Sequence, residues 1–79
     1  MERNQIKVLA DAYRQNNPRY LEYSIDIIHY GVKAQAGIVL SPEELQVFLE
    51  CLTGHSIELA MVQTALKNRP EWLEKMMHR

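Results

Sequence analysis

The sequence predicts an all-α fold, a compact orthogonal bundle of four main helices plus a short C-terminal helix, with residues 1–79 forming a single helical domain. Three observations lead there. Pro18, Gly37, Pro42, Gly54 and Pro70 divide the chain into five segments of helical length, and only Gly31 falls inside one. Within each segment apolar residues recur every three or four positions, the period of an amphipathic helix. A composition of 47% hydrophobic and 24% charged residues in 79 positions suits one small soluble core.

The first segment, about Asn4 to Gln15, places Ile6, Leu9, Ala10 and Tyr13 at helical spacing and ends at Asn16-Asn17-Pro18. Proline is poorly tolerated inside a helix but fits the first turn of the next, which makes Asn17 the expected N-cap of the second helix. That helix is expected from Pro18 to Ala36. Tyr23-Ser24-Ile25-Asp26-Ile27 alternates apolar and polar, which alone suggests a strand, but the longer window favours a helix. Leu21, Ile25, Ile28, Val32 and Ala36 make one apolar stripe; Tyr20, Tyr23, Ile27, Tyr30 and Ala34 make a second. Glu22, Asp26, His29 and Lys33 make the polar one. A helix apolar over most of its circumference is expected at the centre of the bundle. Gly31 marks either a kink or a close helix crossing, and Gly37 suits the left-handed position that ends the helix.

The third helix, about residues 42–53, has the sharpest start signal. Ser41, Pro42 and Glu44 form a capping box with proline at the first helical position, and Leu40 can pack on Leu45. Leu45, Phe48, Leu49 and Leu52 make the buried face, and Gly54 ends the helix. The fourth is expected from Ser56 to Asn68, with Leu59, Val62, Ala65 and Leu66 facing the core and Met61 widening that face. A last short helix from Pro70 to about His78 carries Trp72, Leu73, Met76 and Met77.

Several function classes are disfavoured. The single cysteine, Cys51, excludes a disulfide-stapled scaffold and a multi-thiolate zinc site within the chain. No secretory leader or membrane-spanning run is visible, so a cytoplasmic location is expected. No cofactor, metal or small-molecule substrate is expected. The glycines are too scattered for a phosphate loop, and no two histidines stand at a helical metal-pair spacing. Cys51 and His55 could form a thiolate–imidazole dyad, but Gly54 is expected to break the helix between them. Asp26 and His29 could form a general-base pair, although a surface ion pair is the simpler reading. The chain is therefore expected not to be an enzyme.

Charge is segmented along the chain. The net of -1 hides an acidic block: from 38 to 64 the only Asp, Glu, Lys or Arg residues are Glu43, Glu44, Glu50 and Glu58. The flanking stretches are slightly basic. An acidic face with Glu43 and Glu50 would suit a basic protein partner. The same block weakens the alternative, a helix-turn-helix DNA-binding transcription regulator using helices at about 42–53 and 57–68, because phosphate contacts need cations. Nucleic acid is thus not the expected ligand. The second apolar stripe and the C-terminal cluster exceed what short neighbours easily cover. Tyr20, Tyr23, Ile27, Tyr30, Trp72, Met76 and Met77 are the candidate interface. The expectation is a small non-catalytic protein–protein interaction or regulatory module, a homodimer or a binder of another protein.

Overall fold

Ser41 starts α3 (Pro42–Thr53) as its neighbours require. Its hydroxyl accepts from the Glu44 backbone N–H at 3.1 Å, and Glu44 Oε1 accepts from the Ser41 N–H at 2.9 Å. Both bonds satisfy backbone donors that a helix start leaves unpaired. Gly54 closes the helix at φ 76°, and Gly37 closes α2 (Ile25–Ala36) at φ 70°, a region that side-chain-bearing residues rarely enter. The remaining helices are α1 (Arg3–Asn16), α4 (Leu59–Lys67) and α5 (Glu71–Met77), with a 3₁₀ turn at Tyr20–Glu22. This computed structural model describes all residues 1–79. It is a four-helix bundle with a short C-terminal helix and no strand.

The centre of the bundle is α3, not the second helix. Leu45, Phe48, Leu49 and Leu52 are all buried, and α3 packs most extensively on α1 and next on α4. One core cluster joins them to Ile6, Ala10 and Tyr13 of α1, Ile28 and Val32 of α2, Leu40, and Val62 of α4. Tyr13 meets Phe48 edge to face, with ring centroids 5.7 Å apart. Meanwhile α2 lies against α4 and α5. The radius of gyration is 11.6 Å, close to the ~11.6 Å that compact chains of this length show. The chain therefore closes on itself without a projecting helix.

Two helix starts differ from expectation, each for a tertiary reason. The second helix begins at Ile25 rather than Pro18, with Ser24 extended at the N-cap position (φ -73°, ψ 162°). Asn17 does not cap it. Its Nδ2 donates to Tyr13 O at 2.8 Å, closing the end of α1, and it exchanges amide bonds of 2.9 Å with Gln35. With Asn17 so tied, the chain passes through the 3₁₀ turn, and Leu21, expected in the core, is exposed. The fourth helix begins at Leu59 rather than Ser56–Ile57. Here Glu50 Oε2 accepts from Ile57 N–H at 3.0 Å, and Gln46 Nε2 donates to Ile57 O at 2.9 Å. Both backbone polar groups of Ile57 are thereby taken by α3. Met61 then points outward instead of widening the core face.

Gly31 marks a close crossing. A Cβ there would lie 3.0 Å from the Tyr13 hydroxyl oxygen. The N-terminal half of the molecule is fastened to α3 by Arg14, whose Nη2 donates to Cys51 O at 2.8 Å and Leu52 O at 3.1 Å. These bonds satisfy carbonyls at the C-terminal end of α3, where a cation is also favoured by the helix dipole.

Candidate functional site: the cleft at His29

His29 does not lie on a wet stripe beside Asp26. It is 3% exposed, held by α2 against the chain segment that leads into α3. Its Nε2 stands 2.8 Å from Leu40 O. A carbonyl oxygen only accepts, so Nε2 carries the hydrogen and donates. Nδ1 is then the bare nitrogen of the neutral ring, and it is a buried atom with no partner. Burial holds the imidazole pKa below its ordinary value; the Leu40 bond and Glu74 oppose that shift, and Arg69 adds to it. Asp26, for its part, accepts from the Ser24 hydroxyl and the Ile27 N–H at the start of α2.

Arg69 comes from the short connection between α4 and α5, where Pro70 breaks the helical path. Its side chain is 12% exposed, and its Nε is anchored twice: it donates to Leu66 O at 3.2 Å and lies 3.1 Å from Glu74 Oε2. Glu74 Oε1 in turn stands 2.6 Å from His78 Nε2. The His78 bond, helped by Arg69, holds the Glu74 carboxyl below its usual range. One helical turn away, Glu71 pairs with Lys75 at 3.5 Å.

These residues wall an open cleft of about 690 Å³ lined by His29, Leu40, Pro42, Leu66, Lys67, Arg69, Glu71 and Glu74. A smaller cleft of about 200 Å³ shares His29, Arg69 and Glu74 with it and is completed by Val39, Met77 and His78. The lining combines the half-buried Pro42 and Leu66 with charged groups of both signs.

The sequence-predicted residues lie largely elsewhere. Tyr20 packs against the core beneath Arg14, whose guanidinium carbon is 6.0 Å from the ring centroid. Met77 is 7% exposed and belongs to the interior of the C-terminal end, so it offers no surface to a partner. Ile27, Tyr30 and Met76 are half-buried. Tyr23, at 38%, and Trp72, at 59%, remain exposed. Of the acidic pair, Glu43 is exposed, whereas Glu50 is half-buried and bonded to Ile57 N–H. Cys51 is half-buried against the core and His55 exposed, with left-handed Gly54 between them.

Sequence reasoning missed Arg69 and misplaced His29. A signal for His29 existed: it stands four residues after Ile25 and three before Val32, on the flank of an apolar stripe. Nothing local pointed to Arg69, whose role depends on α5 turning back beside α2. In the helix-turn-helix reading, residues 54–58 join α3 to α4, whose exposed Ala60, Met61, Gln63 and Thr64 are accompanied by one cation, Lys67, in the last turn. No known protein family matches the chain, and neither curated proteins nor solved structures provide a match. No helix is long and apolar enough to cross a membrane.

Proposed function

We propose that the chain is a small non-catalytic interaction module that self-associates through a surface carrying Trp72 and Tyr23. The observation that carries this reading is Trp72, the sole tryptophan, left 59% exposed while Tyr13 and Phe48 are buried. Covering a large apolar side chain is worth about 2 kcal/mol, and tryptophan and tyrosine are the residues most often found at the energetic centre of interfaces. The half-buried Met76 lies on the same short helix. The non-catalytic part rests on the separation of Cys51 from His55 and on the occupation of Asp26 and His29 by Ser24 and Leu40.

The test uses size-exclusion chromatography with light scattering, together with the fluorescence of the single tryptophan. The expected result is a mass of two chains at high concentration. A blue shift of the emission should follow the same concentration dependence, and Trp72→Ala, which removes the fluorophore, should reduce the mass to one chain with the circular dichroism spectrum unchanged. A single-chain mass at every concentration, with constant emission, would overturn self-association. A salt-sensitive mobility shift of duplex DNA would instead favour the helix-turn-helix reading.

A further inference from the structure

The cleft at His29 contains more unused polar capacity than its packing requires. Arg69 is immobilised through Nε, yet its two Nη groups make no hydrogen bond within the protein. A guanidinium fixed at one edge and free along the other presents a ready fork of N–H donors. Such a fork matches the two oxygens of a carboxylate or phosphate, and because it is held in place little ordering cost remains for binding. The ion pairing in the wall points the same way. Glu74 is engaged by Arg69 and His78, and Glu71 by Lys75, whereas Lys67 has no counter-ion. The wall holds two cations and two carboxylates, and Lys67 is the one of the four without an ion pair. The same wall contains His29, whose Nδ1 is the one buried side-chain polar atom without a partner, an arrangement that calls for a reason beyond packing. Finally, about 690 Å³ is far more than an inorganic ion fills; it falls in the range of small-molecule sites.

We propose that this cleft binds a small organic oxyanion, a carboxylate or phosphate on an apolar body, with the head group between Arg69 and Lys67 and the body against the half-buried Pro42 and Leu66. The site is independent of self-association through Trp72 and stands or falls separately.

Isothermal titration of the whole chain with benzoate, phenyl phosphate and neutral benzyl alcohol tests it. Saturable binding of either acid, at least about tenfold tighter than the alcohol, is the expected result; whichever acid binds more tightly identifies the head group. Lys67→Gln removes an exposed charge that makes no hydrogen bond or ion pair within the protein, and it should weaken binding about tenfold, which corresponds to about 1.4 kcal/mol. Glu71→Gln, which removes a competing carboxylate, should tighten it. Three results would overturn the proposal: no saturable binding of either acid at millimolar concentration, equal binding of the alcohol, or an affinity untouched by Lys67→Gln in a protein with native circular dichroism.

Discussion

Gly31→Ala would insert one methyl group where Tyr13 of α1 lies over α2. The added carbon would stand 3.0 Å from the Tyr13 hydroxyl oxygen, 3.1 Å from Cε2 and 3.5 Å from Cζ. Unstrained carbon contacts lie at about 3.5–4.0 Å, so the ring would have to retreat by roughly half an ångström. It has little room to do so. Tyr13 is buried, and it packs edge-on at 75° against Phe48, which is also buried. Two effects then oppose each other. Alanine gains about 1 kcal/mol over glycine in a helix interior. Overpacking a filled core costs about 1–3 kcal/mol. The expected net is a loss of about 1 kcal/mol, or a melting temperature lower by about 4–8 °C for a domain of this size. Thermal and urea denaturation followed by circular dichroism, at matched protein concentration, would measure it. Tyr13→Phe removes the nearest atom, so Gly31→Ala should cost about 0.5 kcal/mol less in that background. A rise in melting temperature on Gly31→Ala would refute the reasoning, since helix propensity alone would then have decided the outcome. Strict additivity of the two substitutions would place the strain somewhere other than the hydroxyl.

Four further outcomes are expected. Ser41→Ala removes the acceptor for Glu44 N–H and should cost about 1 kcal/mol in urea unfolding. Arg14→Lys keeps the charge but cannot reproduce a fork that serves Asp11 and two α3 carbonyls, and should cost about 1–2 kcal/mol. Because the folded His29 pKa lies below the ordinary 6.5, the unfolded chain takes up the proton first. Its contribution is thus complete above pH ~6.5 and is lost as pH falls from there through the folded pKa; His29→Leu should flatten that part of a urea-midpoint profile. Glu44, held at about 2 chiefly by the N-terminal ammonium and the Ser41 N–H, acts in a separate window, losing its contribution as pH falls from 4.5 toward that value; Glu44→Gln should remove this second limb.

The legible parts of the fold were those decided within a few residues. Ser41, Pro42 and Glu44 specify the start of α3 among themselves, and Gly37 and Gly54 specify two helix ends through one dihedral angle each. The illegible parts were decided by residues far along the chain. Asn17 looks like a helix start locally, but its amide pairs with Gln35, eighteen positions later, and that pairing displaces the start of α2. Ile57 looks like the first turn of α4, but Glu50 and Gln46 hold both its backbone groups from the preceding helix. The same applies to the site. His29 reads as polar and therefore wet; only the approach of Leu40 O makes its burial tolerable, and no periodicity encodes that approach. Among the candidate interface residues, Tyr23 and Trp72 are exposed whereas Tyr20 and Met77 are covered, and what separates them is tertiary packing alone, which the apolar pattern does not encode.

A small core needs supplementary fastening, and here long polar side chains provide it by seeking backbone carbonyls. Arg14 reaches Cys51 and Leu52, Lys33 reaches Met76 and Arg79, and Gln46 reaches Ile57. The Arg14 and Lys33 bonds join elements distant in sequence, and both cations also meet the negative ends of helices. This use of charge changes what the acidic and basic blocks of the sequence signify. A charged residue that spends its donors or acceptors inside the fold is a poor recruiter of partners, because binding elsewhere would first have to break that bond. Glu50 and Lys33 are removed from consideration on this ground, and Glu44 is tied to Ser41 and the N-terminus. The groups left without an internal bond include Arg3, Lys7, Glu43, Glu58, Arg79, the Lys67 ammonium and the Nη edge of Arg69, beside the exposed rings of Tyr23 and Trp72. Two of these cations share one cleft, whereas the rings lie on separate elements. A ligand for the cleft and a partner for the rings are therefore distinct demands on the molecule, and substitutions at Lys67 and at Trp72 should separate them.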